Sequence, residues 1–194
     1  MSELFSIQLQ NQQQSRDGVW LDLPTTTEQV QAALRQIGIS SDNPQGLFIS
    51  GYFAEEEKRF AIPYNMVLAS NVDELNFLAS RLETLSTGER AELNAALQAP
   101  QSELSSIGRI TDFPENVDYY VHLPDVRGPA QLGDYYLNRS GMVDMPEEWK
   151  GGIDTAQFGR YVAQQEQGAF TQYGYLVKSG DEWQKVHEGQ PVPE

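Results

Sequence analysis

Carboxylates are the chemistry this sequence has most of: its 194 residues carry 28 Asp and Glu against 13 Lys and Arg, a formal net charge of −15. A pair such as Glu147-Glu148 could in principle divide general acid and general base work, because glycoside hydrolysis needs only two placed carboxyl groups. Among so many carboxylates chance pairs are expected, so adjacency alone defines no site. Cysteine is absent, which removes disulfides, thiolate metal ligands and cysteine nucleophiles. His122 and His187 are the only imidazoles. They lie far apart in sequence, and each reads as a structural or surface histidine. The chain has none of the motifs G-x-G-x-x-G, G-x-x-x-x-G-K-[ST], H-E-x-x-H, G-x-S-x-G or an EF-hand loop. The sequence therefore points away from an enzyme, with no catalytic residue, metal or cofactor expected.

The charge also excludes partners. Proteins that bind DNA or RNA directly carry clustered Lys and Arg, and the longest basic run here is Lys58-Arg59. A chain this acidic repels both nucleic acid and anionic membrane. No apolar run approaches the roughly 18 residues of a membrane span, and Met1 to Gln14 lacks the basic start and apolar core of a secretory leader. The expectation is a cytoplasmic protein. Residues 1 to 54, 55 to 115 and 116 to 194 carry net charges of −3, −6 and −6, which places the acidity mainly in the middle and last thirds.

The elements that must position these charges follow from periodicity. Phe5, Ile7 and Leu9 alternate as a strand, as do Val19, Leu21 and Leu23 after Asp17-Gly18. Thr25-x-x-Glu28 reads as a capping box before a helix bearing Val30, Ala33, Leu34 and Ile37, stopped at Gly38. Asp42-Asn43-Pro44-Gln45-Gly46 is turn chemistry, and Leu47 to Phe53 has strand length and character. Ser70 is the expected cap of a helix with Leu75, Leu78, Leu82 and Leu85 on one stripe, running to Gly88, and a second helix spans Glu89 to Ala99. Val117 to Leu123 reads as a strand and Pro129 to Asn138 as a helix stopped at Gly141. Asp154 caps a helix with Phe158, Tyr161 and Val162, and Ala169 to Val177 reads as two short strands around Tyr173-Gly174. The expected fold class is α+β. Its expected domains are 1–63 (mixed sheet and helix), 64–115 (small and helical) and 116–177 (mixed), with a loose polar tail at 178–194.

Several of these segments, in this order and spacing, resemble the ArdA antirestriction family, encoded on plasmids, conjugative transposons and phages. The resemblance covers about residues 1 to 177. It is carried by Gly18-Val-Trp-Leu-Asp-Leu-Pro24, Leu47-Phe-Ile-Ser-Gly-Tyr-Phe53, Asp73-Glu-Leu-Asn76, Leu132-Gly-Asp-Tyr-Tyr136, Asp154-Thr-Ala-Gln-Phe-Gly-Arg160 and Tyr173-Gly-Tyr175. It implies an elongated, curved, acidic molecule of three small domains that dimerises, mimics bent B-DNA and occupies the DNA-binding groove of type I restriction-modification enzymes. The chain departs from the family pattern at Gly51 and Phe53, where acidic residues usually flank the tyrosine of the third strand. The stretch 54–63 and the tail past Val177 are additions.

Charge arithmetic restricts how such mimicry could work. Duplex DNA has one charge per roughly 1.7 Å, so 15 net charges match about 25 Å of duplex and 28 carboxylates about 48 Å, whereas a compact chain of this length is already about 40 Å across. Net charge spread evenly is too dilute. Mimicry requires carboxylates gathered on one face, with a homodimer to lengthen the track, its interface expected mainly in residues 116–177. The candidate phosphate surrogates are Asp73, Glu74, Glu83, Glu89, Glu92, Glu103, Asp112, Glu115, Asp118, Asp125, Asp134, Asp144, Glu147 and Glu148. The alternative is an acidic interaction or regulatory protein of a mobile genetic element that engages a different DNA-binding protein.

Overall fold

The computed structural model describes residues 3–13, 17–40, 44–56 and 59–187. Gln14 of the glutamine run, Asp42 and Asn43 of the expected turn, Glu57, Lys58 and the tail from 188 onward lie outside the described residues. The class is mixed α+β, with two three-stranded antiparallel sheets among the described residues. No described helix is long and apolar enough to cross a membrane. The chain divides into two compact units. One comprises Met1–Ser86, Leu104–Glu115 and the stretch from Lys185, and the other comprises Thr87–Glu103 and Asn116–Gln184.

The first unit is built on β1 (Phe5–Asn11), β2 (Val19–Leu23) and β3 (Leu47–Phe53), ordered β2-β1-β3. The alternation of β1 buries Phe5, Ile7 and Leu9 with Leu21, Leu23 and Ile49. The register slips between Gln8 and Leu9, which face Gly51 and Ile49. Ser50 is thus left opposite no residue, as in a β-bulge, and its hydroxyl donates to the Gln8 side chain at 3.0 Å. Helix α1 (Thr27–Gln36) buries Ala33 and Leu34 and ends at Gly38, whose φ of 72° is the left-handed conformation glycine adopts most readily.

The cap of α1 is Thr26, one residue later than the sequence suggests. Thr26 and Gln29 form the capping box, with Gln29 N donating to Thr26 Oγ1 at 3.4 Å and Thr26 N to Gln29 Oε1 at 3.3 Å. The Thr25 hydroxyl also donates to Gln29 Oε1, but its backbone is held elsewhere. Its N–H donates to Asn76 Oδ1 at 2.7 Å, and its carbonyl accepts from Asn76 Nδ2 at 3.0 Å. Asn76 lies on α3 (Val72–Glu83), which follows the short α2 (Tyr64–Leu68) and buries Leu75, Leu78 and Leu82. Asn71 caps α3, whereas Ser70 bonds back to the Met66 carbonyl at 2.8 Å. Gly88 does not stop this helix; α3 ends at Glu83, and Gly88 sits in the first turn of α4 (Thr87–Gln98). The short α5 (Ile107–Thr111) packs on α3.

The second unit holds β4 (Tyr120–Leu123), β5 (Ala169–Thr171) and β6 (Gly174–Lys178), ordered β4-β6-β5. The strand expected from Val117 begins only at Tyr120, because 117–119 wind into a 3₁₀ turn. Helix α6 (Pro129–Asp134) runs on into a π turn over Tyr135–Arg139, the short α7 (Glu147–Lys150) follows, and α8 (Thr155–Glu166) crosses α6 closely. The crossing needs two glycines. A Cβ on Gly133 would run into the Thr155 carbonyl, and one on Gly159 into the Pro129 carbonyl. Val126, Leu132 and Tyr175 form the core beside them. The stretch 178–187 is mostly exposed but is anchored at Trp183, Gln184 and His187. Trp183 stands edge-on to Tyr119 at 5.1 Å, and Asn116 exchanges two hydrogen bonds with Gln184. In the first unit, His187 packs edge-on against Phe77 at 5.1 Å.

Candidate functional site: the carboxylates

The candidate carboxylates fall into distinct physical classes once their neighbours are known. Asp112 is fully buried and accepts from the His187 N–H at 2.6 Å. It holds the last described stretch against its own unit, so it cannot present charge to a partner and leaves the set of phosphate surrogates. Both histidines also serve the fold: His122 Nε2 lies 2.9 Å from the Tyr173 carbonyl, and His187 packs on Phe77.

Four candidates sit in ion pairs. Glu115 pairs with Arg81. Glu103 meets Lys178 Nζ at 2.6 Å, with the Tyr119 hydroxyl at 3.4 Å, and this carboxylate raises the Lys178 pKa. Asp134 pairs with Arg139 at 3.4 Å and accepts from Asn138 Nδ2 at 2.8 Å. Glu147 pairs with Lys150 at 2.6 Å. Each of these carboxylates lies beside a cation of its own unit.

Glu89 and Glu92 lie one turn apart on α4, and Asp118 approaches from the 3₁₀ turn. Burial, then Glu89 and Asp118, push the Glu92 pKa up to about 8. The structure thus brings three candidates together in one unit, where the middle one is the hardest to ionise. Glu83, at the end of α3, is half-buried.

Six candidates remain with no ion-pair partner among the described residues: Asp73, Glu74, Asp118, Asp125, Asp144 and Glu148. All but the half-buried Glu74 are exposed. Asp73 and Glu74 occupy the first turn of α3, where the helix dipole favours negative charge. Asp125 lies in the turn after β4, Asp144 in the loop before α7, and Glu148 on α7.

Sequence reasoning missed Glu166. Its carboxylate accepts from the Tyr136 hydroxyl and, at 2.9 Å, from the Tyr175 hydroxyl. Burial, then this shared carboxylate, raise both phenol pKa values. A glutamate at a helix end beside two motif tyrosines was the available signal. A cavity in this unit, 390 Å³, is walled by Pro100, Tyr120, Phe170 and Leu176, with Glu166 and Lys178 as its charged groups. A second hollow, of 340 Å³ between α1 and α3, has Asp73 as its one carboxylate. Neither holds the pair of carboxyl groups that acid–base hydrolysis needs.

Several of the motif residues that carry the resemblance serve the architecture. Asn76 clasps the loop after β2, Gly133 and Gly159 permit a helix crossing, and Tyr175 fills a core. A family model described as antirestriction protein (ArdA) matches residues 13–177. No curated protein sequence matches the chain.

Proposed function

The chain belongs to the ArdA family of antirestriction proteins, and from that premise we propose that it inhibits type I restriction-modification enzymes as a B-DNA mimic. In this reading exposed carboxylates take the place of DNA phosphates against the Lys and Arg of the enzyme's DNA-binding groove. No catalytic step or cofactor is involved. The observation that carries it is the sorting of the carboxylates. Asp73, Asp118, Asp125, Asp144 and Glu148 face solvent without ion-pair partners among the described residues, in a chain of net charge −15. Such charges attract a basic groove and repel nucleic acid itself.

We further propose that the inhibitor works as a homodimer, because one chain is too short to present a track of restriction-site length. Trp149 and Tyr161, both exposed in the second unit, supply apolar surface of the kind a two-fold interface uses.

The test is ATP-dependent cleavage of unmodified plasmid by a purified type I enzyme, with this protein titrated in and duplex DNA as competitor. Inhibition that weakens with added non-specific duplex and with rising salt supports the reading. Inhibition untouched by competing DNA, or no inhibition at stoichiometric protein, overturns it.

A further inference from the structure

Helix α4 packs on β4 and β6 of its own unit and buries Leu93, Ala95 and Ala96 completely. Glu92 immediately precedes that buried run. Its Oε1 is shut off from water and has no hydrogen-bond partner among the described residues. A buried carboxylate oxygen without a partner is costly when charged and far less so when protonated.

The surroundings make ionisation worse. Glu89 faces Glu92 from the preceding turn of α4, and Asp118 faces it from the 3₁₀ turn. The titratable groups on the two strands beneath α4 are engaged elsewhere. Lys178 pairs with Glu103, His122 lies against the Tyr173 carbonyl, the Tyr120 hydroxyl accepts from Glu103 N, and the Tyr175 hydroxyl donates to Glu166. Burial, Glu89 and Asp118 all raise the Glu92 pKa, with no cation among the described residues lowering it.

We propose that Glu92 is a proton-operated latch for α4: with its carboxyl protonated the helix lies closed on the sheet, and with it ionised the helix is driven to open. The two flanking carboxylates and the partnerless buried oxygen supply the driving force, and opening relieves both by admitting water. The latch is a property of the second unit and stands independently of any restriction enzyme.

The sign follows from the carboxyl's two environments. Burial and the two neighbours raise its pKa to about 8 in the closed form, against about 4.3 when exposed. Opening releases a proton between these limits, so it becomes more favourable as pH rises and levels off above the closed-form value. From pH 6.5 to 9 the full displacement corresponds to a roughly thirtyfold rise in the opening equilibrium. Partial exposure of the side chain screens some of this, leaving about tenfold.

The experiment uses the full-length chain. Carboxyl carbon NMR follows the Glu92 resonance, assigned by its loss in Glu92→Gln, and amide exchange of α4 is measured at pH 6.5 and 9 after correction for intrinsic rates. Expected are a Glu92 midpoint near 8 and a roughly tenfold acceleration of Leu93 to Gln98 exchange that Glu92→Gln abolishes. A Glu92 midpoint below 6, or α4 exchange that responds to pH equally in both proteins, overturns the latch.

Discussion

Equal numbers of charges removed from different carboxylates should have unequal effects, and this separates local phosphate mimicry from a general negative field. One quadruple variant neutralises Asp73, Asp118, Asp125 and Glu148, which have no ion-pair partner among the described residues. The other neutralises Glu103, Glu115, Asp134 and Glu147, each already paired with a cation of this chain. Both raise the net charge by four, so any effect of total charge is matched. If each unpaired carboxylate meets a groove cation, its removal costs about 0.5 kcal/mol, the middle of the range for exposed pairs. Four such losses sum to about 2 kcal/mol, or roughly thirtyfold in affinity. The paired carboxylates offer a partner only their long-range field, screened beyond about 10 Å at 0.1 M salt, so that variant should weaken inhibition less than about threefold. It should instead be the less stable protein, having lost four intramolecular pairs. The assay is the concentration for half-inhibition of type I cleavage at 0.1 M salt, with circular dichroism to confirm folding. Equal losses in the two variants, or a larger loss in the paired set, would refute the assignment of the unpaired carboxylates as phosphate surrogates.

Three further outcomes concern the scaffold. Gly159→Ala places a methyl on the Pro129 carbonyl and should cost upward of about 3 kcal/mol against the roughly 1 kcal/mol an exposed helical site would gain. Gly151→Ala, with open space around it, should leave the urea midpoint unchanged or higher. Tyr52→Phe removes a buried hydroxyl that lacks a hydrogen-bond partner and whose pKa burial pushes up to about 12. Its melting temperature should rise, by the equivalent of about 0.5 to 1 kcal/mol, and a fall would show that the hydroxyl is satisfied in solution. Stability of the wild type should decline between about pH 4.3 and 8, because the folded Glu92 holds a proton that the unfolded one releases. With allowance for its partial exposure the loss is about 1 to 2 kcal/mol, and a Glu92→Gln protein with the same decline would contradict this.

Local chemistry was legible in the sequence where a pattern repeats within one element. The alternation of Phe5, Ile7 and Leu9, the leucines 75, 78 and 82 on one face of α3, and the stop at Gly38 reappear as read, although α3 ends before Leu85. Boundaries moved where a distant residue intervened. Asn76 claims the backbone of Thr25 from 51 positions away, so the cap passes to Thr26. Nothing near Thr25 announces this. The tail reads as loose because its polar composition hides the two residues that anchor it, Trp183 on Tyr119 and His187 on Phe77.

Charge shows the same division more sharply. A sequence counts carboxylates but cannot pair them, and the pairs that matter here join residues 34 apart for Arg81 and Glu115 and 75 apart for Lys178 and Glu103. Burial is equally invisible: Asp112 and Glu115 differ little in local sequence, yet one is enclosed and the other is exposed. Of the fourteen candidates, Asp112 is buried, Glu92 has its pKa raised by burial and two acidic neighbours, and Glu103, Glu115, Asp134 and Glu147 lie beside cations of this chain. On the proposed reading, a DNA mimic carries its negative charge where no cation of its own can answer it. Among the described residues, the absence of an ion-pair partner then distinguishes Asp73, Asp118, Asp125, Asp144 and Glu148 more than their acidity does, and only the folded chain reveals it.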